Sequence, residues 1–281
     1  MSYKDITIVI TSFKSQNKII SCLDSIKTDI KVLVIENSNN IGFKESIEDK
    51  YSNISCILTG ENLGYGNGNN LGLSKVKTKY ALIINPDAIL DSTAIDNFLI
   101  SAKKEPDFAI ISPYVQDEYV LEKKKITIKN LKSVDNVKGF AMFLNISEFE
   151  KIGFFDKNFF IYFEEIDLCK RIKSYNKKIF LDPNIRIFHK GGSSHDQSVD
   201  MEMELSRNWH WMWSSFYYHK KHYGFFFSIL KVFPKLVSSI FKIFFFLLIF
   251  DNHNRKIYFQ RFSGLFNSIL GKKSWYRPKV D

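Results

Sequence analysis

Three carboxylates, Glu164, Glu165 and Asp167, fall within four positions of the stretch FFIYFEEIDLCKR, residues 159–171. Acids this crowded, set beside aromatic residues, favour a raised pKa for one of them, the kind of perturbation that marks candidate functional sites. Leu168, Ile172 and the stem of Arg171 repeat with the spacing of a helix face. The stretch predicts an apolar segment that delivers acidic side chains to a helix N-terminus, where the macrodipole stabilises negative charge. Arg171 stands four residues after Asp167, within pairing reach on such a helix. Taken alone, the cluster would more often be a well-capped acidic first turn. A second acidic position upstream and a histidine downstream weigh towards chemistry.

The upstream position is Asp87, in Asn85-Pro86-Asp87. Pro86 ends the preceding apolar run and leaves Asp87 beyond it, where a hard oxygen ligand could hold Mg²⁺ or Mn²⁺ and, through it, phosphate oxygens. The plainer alternative is a strand-ending turn, since Asn-Pro often starts one. The downstream histidine is His189, followed by Lys190, Gly191, Gly192, Ser193, Ser194 and His195. A histidine after a strand is usually structural or merely exposed, but a Gly-Gly loop behind it would let it reach a metal or phosphate. Between these positions and the N-terminus lies ENLGYGNGNNLGLS, residues 61–74, read here as a Gly/Asn-rich loop. Its glycines would let backbone approach a ligand, and Asn62, Asn69 and Asn70 supply amide donors and acceptors. It lacks the G-x-G-x-x-G spacing of a dinucleotide fingerprint.

These residues need a scaffold, and the apolar runs provide one. Ile6–Ile10, Lys31–Ile35, Ser55–Leu58 and Tyr80–Ile84 read as short buried strands, with a helix over Asn17–Ile26 between the first two. Strands alternating with helical stretches predict βα units and a mostly parallel sheet, in which ligands bind at the carboxyl ends of the strands. Thr11, Glu36 and Asp87 all fall at such ends. Further strands are expected at Phe108–Ile111, Val137–Asn145, Lys178–Leu181 and Ile185–Phe188. The charged excursion around Glu122–Lys125 carries no assigned chemistry.

A chain of 281 residues with 45% hydrophobic residues can bury a large core. Its three cysteines, Cys22, Cys56 and Cys169, lack metal-site spacing and favour a reducing compartment. The N-terminus runs straight into a strand pattern, so no secretory signal is expected. The net charge of +10 is unevenly placed: residues 205–281 hold 13 Lys+Arg against 2 Asp+Glu, leaving 27 basic and 28 acidic residues in 1–204. The body is neutral, and the tail seeks an anionic partner. Its richness in Phe, Trp and Tyr suits a membrane surface better than nucleic acid.

Seven pieces in chain order, ITIVITSF, VLVIENSN, ENLGYGNGNNLG, ALIINPDA, KGFAMFL, FFIYFEEIDLCKRI and FHKGGSS, together resemble the family 2 glycosyltransferases, and within them the rhamnosyltransferase-like branch of bacterial surface-polysaccharide synthesis. The resemblance covers residues 5 to about 195. It implies an α/β GT-A fold, a Rossmann-like, mostly parallel sheet flanked by helices, for residues 1–204. It also implies a nucleotide-diphosphate-sugar donor (dTDP- or UDP-linked), Mn²⁺ or Mg²⁺, and inversion at the anomeric carbon. By position, Thr11, Glu36 and Asn62 would surround the nucleotide, and Asn69 would lie near the diphosphate. Asp87 matches the metal-holding acid of the family's D-x-D motif, with Asn85 where the first acid usually stands. His189 matches a histidine that completes the metal and diphosphate site in some relatives. Glu165 matches the general base, where Asp is more usual, with Glu164 and Asp167 framing it. Rhamnose from dTDP-rhamnose is the expected transfer. UDP-glucose or UDP-galactose, or a non-catalytic sugar-nucleotide or membrane-binding role, are the alternatives.

The tail, residues 205–281, is expected to be helical and membrane-associated. In Phe225–Phe250, Ser228, Lys231, Lys235, Ser238 and Lys242 recur every three or four residues and form one stripe on an otherwise Phe/Leu/Ile helix that Pro234 would kink. That pattern favours a helix lying in the interface of the membrane over a span or a helical dimer contact. Basic residues after it add attraction to anionic lipid, about 1 kcal/mol each near the surface. A membrane-bound tail implies a lipid-linked saccharide acceptor and a peripheral position at the cytoplasmic face of the bacterial inner membrane.

Overall fold

The computed structural model describes residues 2–113, 130–189 and 200–278. The Glu122–Lys125 excursion, the Lys190–His195 segment and Lys279 lie outside the described residues. The chain divides into two compact units. The first comprises Met1–Leu63, Gly68–Phe155 and Leu168–Asp196; the second comprises Gly64–Asn67, Asp156–Asp167 and Gln197–Asp281.

The first unit is built on an eight-stranded sheet. Its strands are β1 (Ile6–Ser12), β2 (Lys31–Glu36), β3 (Ile54–Leu58), β4 (Tyr80–Ile84), β6 (Phe108–Pro113), β7 (Lys132–Ser133), β8 (Ala141–Asn145) and β9 (Lys178–Asp182), in the order β3-β2-β1-β4-β8-β6-β9-β7. β3, β2, β1 and β4 are mutually parallel, as are β6 and β9, whereas β8 and β7 run antiparallel to their neighbours. β1, β4, β6 and β8 are buried along their whole length, as expected of β-branched and aliphatic runs covered on both faces. Helices α1 (Gln16–Asp24), α2 (Ile41–Lys50) and α4 (Ala94–Lys104) connect the strands. Phe98, Phe108, Phe143 and Tyr80 form one aromatic stack inside the core, with ring centroids 5.0–5.8 Å apart.

The expected strands are present, with shifted ends. The predicted Val137–Asn145 strand is confined to β8, because Phe140 turns aside and its carbonyl accepts from the Asn85 N–H at 2.8 Å. The last strand, β10 (Ile187–His189), starts two residues later than expected. Asp182 holds the preceding turn by accepting from the Asn184 N–H at 2.8 Å. β10 pairs antiparallel with β5 (Ala88–Leu90), a strand not anticipated, in a separate two-stranded sheet with His189 opposite Ala88.

The Gly/Asn-rich segment is not a loop. Residues Gly64–Leu73 form α3. Glycine is a poor helix former, but tertiary packing decides here: a Cβ at Gly72 would lie 2.4 Å from Val9 Cγ1, and one at Gly68 would lie 2.5 Å from Thr11 Cγ2. The bare face lets the helix backbone lie directly on the sheet, so the glycines serve helix–sheet contact.

The second unit is dominated by α6 (Asp200–Tyr223), α7 (Phe225–Leu248) and α8 (Asn252–Ile269). The expected boundary at 204/205 falls inside α6. Gly224, at φ +85°, makes the turn between α6 and α7, and Asp251 caps α8 by accepting from the Asn254 N–H at 3.0 Å. Gly264 brings α8 against the backbone of α6, where a Cβ would meet the Trp209 carbonyl oxygen at 2.2 Å. Met212, Phe216, Val232 and Leu265 form the core of the three helices. Pro234 lies inside α7 without ending it. No helix among the described residues is long and apolar enough to cross a membrane.

Candidate active site

In the first unit, β4 ends at Ile84 and the chain turns through Asn85-Pro86-Asp87, closed by the Ala88 N–H donating to the Asn85 carbonyl at 3.1 Å. The β5–β10 pairing then places His189 beside Asp87, with Nε2 3.3 Å from Asp87 Oδ1 and 3.3 Å from Asn85 Nδ2. Phe140 stacks on the His189 ring at 4.5 Å and 16°, which fixes the plane of the imidazole. The Asp87 side chain is only 5% exposed, yet neither of its oxygens has a hydrogen-bond partner. A buried carboxylate left unsatisfied is costly unless something coordinates it. Oxygen and imidazole donors side by side suit Mg²⁺ or Mn²⁺, with phosphate oxygens completing the shell. Asp87 and His189 therefore fit a divalent ion. No group of three or more His, Cys, Asp or Glu among the described residues could hold a metal without such outside ligands.

The other residues expected around a nucleotide lie at neighbouring strand ends and in or just before α3. Thr11, on β1, donates from Oγ1 to Asn69 Oδ1 of α3 at 3.0 Å, and Asn69 is fully buried. Asn69 thus braces Thr11 from within. Glu36 ends β2 fully buried; its Oε1 accepts from the Ser38 N–H at 2.7 Å and from the Ser38 hydroxyl, while Oε2 has no hydrogen-bond partner. Burial raises the Glu36 carboxyl above its ordinary value against the pull of those bonds. Asn62 is half-buried just ahead of α3.

In the second unit, the acidic cluster opens α5 (Glu164–Ser174) as the sequence predicts. Two consecutive residues before it, Tyr162 and Phe163, have φ of +69° and +68°. Left-handed backbone at bulky residues is strained and is held only where packing enforces it. Here Trp211 of α6 packs 5.3 Å from both rings. Glu164 is 4% exposed, and the Oε2 atoms of both Glu164 and Glu165 lack hydrogen-bond partners. Burial pushes the Glu164 carboxyl well above the ordinary range, with the Glu165 charge adding to it. Burial likewise raises Glu165, opposed by the N–H groups of the helix start.

Asp167 is different. Its fully buried carboxylate lies 2.6 Å from Lys221 Nζ and 2.8 Å from His222 Nε2, both on the last turn of α6. Lys221 also reaches Asp156 at 2.7 Å, and Tyr217 donates to the same carboxylate at 3.0 Å. Tyr217, Lys221 and His222 belong to the segment 205–281, which the sequence predicts to be helical and membrane-associated. Arg171 donates to the carbonyls of Ile152, at 2.8 Å, and Phe154.

Residues 7–182, more than half of the chain, match the model of glycosyl transferase family 2. The chain belongs to that family. The family 2 chain is 27% identical over 203 residues to the low-salt glycan biosynthesis hexosyltransferase Agl10 of Haloferax volcanii, covering 62% of this chain and 64% of that protein. It therefore spans just under two thirds of that relative's length. It is 25% identical over 218 residues to the rhamnosyltransferase WbbL of Escherichia coli, covering 65% of this chain and 82% of the relative. With the N-acetylglucosaminyl-diphospho-decaprenol L-rhamnosyltransferase of Mycobacterium tuberculosis it shares 20% identity over 203 residues, 57% and 66% of the two chains. Among solved structures it is similar to the mannosyltransferase PcManGT of Pyrobaculum calidifontis, determined with GDP-Man and Mn²⁺. That match has a TM-score of 0.60 at 10% identity and covers 96% of this chain and 88% of the other. The fold is of the GT-A type.

Proposed function

We propose that the protein is an inverting, metal-dependent glycosyltransferase that moves a sugar from a nucleotide diphosphate to a saccharide acceptor. Family membership supports the reaction class. The observation that carries the roles is Glu165, a buried acid with a raised pKa and an unpartnered oxygen in the first turn of α5. A carboxyl in that state suits a general base. It takes the proton of the acceptor hydroxyl as that oxygen bonds to the anomeric carbon, and the diphosphate departs with the electrons of the broken C–O bond. Glu164 is held well above the ordinary carboxyl range by its burial and by the Glu165 charge, so the pair disfavours carrying two negative charges at once. Asp167, clamped by Lys221 and His222, fixes the turn.

Asp87 and His189 would hold Mn²⁺ or Mg²⁺, which when bound offsets charge growing on the departing diphosphate. Thr11, Glu36 and Asn62 contact the nucleotide, Asn69 braces Thr11, and Asn85 positions His189. Two relatives named rhamnosyltransferases support dTDP-rhamnose as donor. The hexosyltransferase relative, at 27% identity, favours UDP-glucose or UDP-galactose as the second reading. A relative named for a diphospho-decaprenol substrate supports a lipid-linked acceptor in surface-polysaccharide synthesis. The outward apolar face of α7, including Phe226, Leu230, Phe241 and Leu248, supports a peripheral place at the cytoplasmic face of the inner membrane.

The test incubates the protein with dTDP-rhamnose, UDP-glucose and UDP-galactose in turn with Mn²⁺ and measures nucleoside diphosphate release. Release from one donor, lost on Glu165→Gln, is expected. Sugar-nucleotide binding without release from any donor would instead favour the non-catalytic reading.

A further inference from the structure

The polar stripe of α7 lies only partly on the outside. Ser228 is buried and Lys231 and Ser238 are exposed, while the half-buried Lys235 places Nζ 3.3 Å from Ser215 Oγ of α6 and the half-buried Lys242 places Nζ 2.8 Å from the Tyr258 hydroxyl of α8. The rest of the exposed side of the helix is largely apolar, with Phe226 at 85% and Leu248 at 76% exposure. Between α7 and α8 this arrangement leaves a cavity of about 230 Å³ lined by Pro234, Lys235, Ser238, Lys242, Tyr258 and Arg261, among others. That is far more than the roughly 10–15 Å³ a single water needs.

Three cations share this cavity, and neither α7 nor α8 contains an Asp or Glu. No carboxylate among the described residues pairs with Lys235, Lys242 or Arg261. Instead, Lys242 Nζ and the Arg261 guanidinium both sit over the Tyr258 ring, at 4.6 and 5.4 Å. Burial and the nearby charges of Arg261 and Lys231 lower the Lys235 pKa. Folding that gathers like charges with no counter-charge leaves a place for an anion from outside. The donor set of two ammonium groups, a guanidinium fork and the Ser238 and Tyr258 hydroxyls suits a phosphate oxyanion. Ser238, which lines the cavity, is itself exposed, and the exposed residues around it on α7, Val237 and Phe241 included, are apolar, so an anion seated there can belong to a molecule whose apolar portion lies along this helix.

We propose that this cavity is a binding site for the phosphate headgroup of an anionic phospholipid, seated there while the apolar face of α7 enters the acyl boundary. The proposal rests on the membrane-surface reading above and adds a defined site to it.

The test measures co-sedimentation of the full chain with phosphatidylcholine vesicles, with and without phosphatidylglycerol. It compares the wild type with the triple variant Lys235→Gln, Lys242→Gln, Arg261→Gln and with a control triple that removes the same charge at exposed positions, Lys256→Gln, Lys272→Gln, Lys273→Gln. The expected result is tight binding of wild type to phosphatidylglycerol vesicles, a loss of tenfold or more in the cavity triple, and a clearly smaller loss in the control. Equal losses in both triples would reduce the site to diffuse attraction and overturn it while leaving membrane attachment standing. A wild type that binds neither vesicle would overturn both readings.

A second measurement needs no membrane. Sodium phosphate, against sodium chloride at matched ionic strength, should raise the melting temperature of wild type but not of the cavity triple. The triple should itself melt no lower than wild type, because unpaired like charges have been removed. Should it prove unfolded, the single variant Lys242→Gln takes its place, and a phosphate response equal to that of wild type in this variant overturns the proposal.

Discussion

His222 Nε2 and Lys221 Nζ converge on one oxygen of the fully buried Asp167, at 2.8 and 2.6 Å. The last turn of α6 therefore locks the first turn of α5, the turn that carries Glu164 and Glu165. Removing one partner of a buried charge strands the other. Lys221→Met should lower stability by about 1.5–3 kcal/mol, the worth of a hydrogen bond to a charged group. Denaturant unfolding measures this, and a double-mutant cycle with Asp167→Asn should be clearly non-additive. Additive losses would mean that the contact carries no coupling.

The acidic turn also fixes a pH dependence of stability. Burial raises the Glu164 carboxyl well above its ordinary value. The unfolded chain then releases its proton at lower pH than the folded protein does. Stability from this group is complete below the ordinary carboxyl pKa and is lost as pH rises through the raised value. Glu164→Gln should flatten that decline and melt higher than wild type at neutral pH. Thermal unfolding across pH checks it; a variant with the wild-type pH slope would place the proton elsewhere.

Glu165 is raised in the same direction, and a base works only when ionised. Turnover should therefore climb with pH above the ordinary carboxylate range and then level. Glu165→Gln should lose about 100- to 10,000-fold in kcat, the usual contribution of general base catalysis, with donor binding retained. A variant that keeps its turnover would remove Glu165 from the chemistry.

Asp87 and His189 make a ligand pair whose carboxylate has no other partner. Asp87→Asn should abolish the enhancement by Mn²⁺ of nucleoside diphosphate binding, read by calorimetry, and chelation should do the same to wild type. His189→Gln should weaken that enhancement less. Binding that ignores both metal and substitution would disconnect the pair from the donor.

Much of this was legible in the sequence, because strands such as Ile6–Ser12 and Tyr80–Ile84 are β-branched runs with few alternatives. Glu164, Glu165 and Asp167 likewise read as the start of a helix. The His189–Asp87 contact was only half legible: each residue stood out by type, but their meeting depends on three-residue strands too short to show a period. Lys221 and His222 were missed because their partner is 54 residues or more away in sequence, and nothing in a Lys-Lys-His run distinguishes a clamp from a basic surface.

The glycine-rich segment hides its helix for a related reason: the partner that decides its conformation is the sheet, not its own sequence. Local propensity makes GYGNGNNLG a loop, yet the segment is helical because only hydrogen atoms face β1 at Gly68 and Gly72. Alanine would improve helix propensity by about 0.8–1.0 kcal/mol at each site, so a loop or an exposed helix would tolerate or welcome it. Against the sheet, the added methyl at Gly72 meets Val9 Cγ1 at 2.4 Å, and overpacking of this kind costs about 1–3 kcal/mol. Gly72→Ala should therefore destabilise the protein on balance. Gly68→Ala, which crowds Thr11 and approaches Asn37 Nδ2 at 3.3 Å, should also weaken donor binding. Paired unfolding and binding measurements separate the two effects: a stabilised Gly72→Ala would show that the helix stands off the sheet, and unchanged donor affinity in Gly68→Ala would take Thr11 out of the nucleotide site.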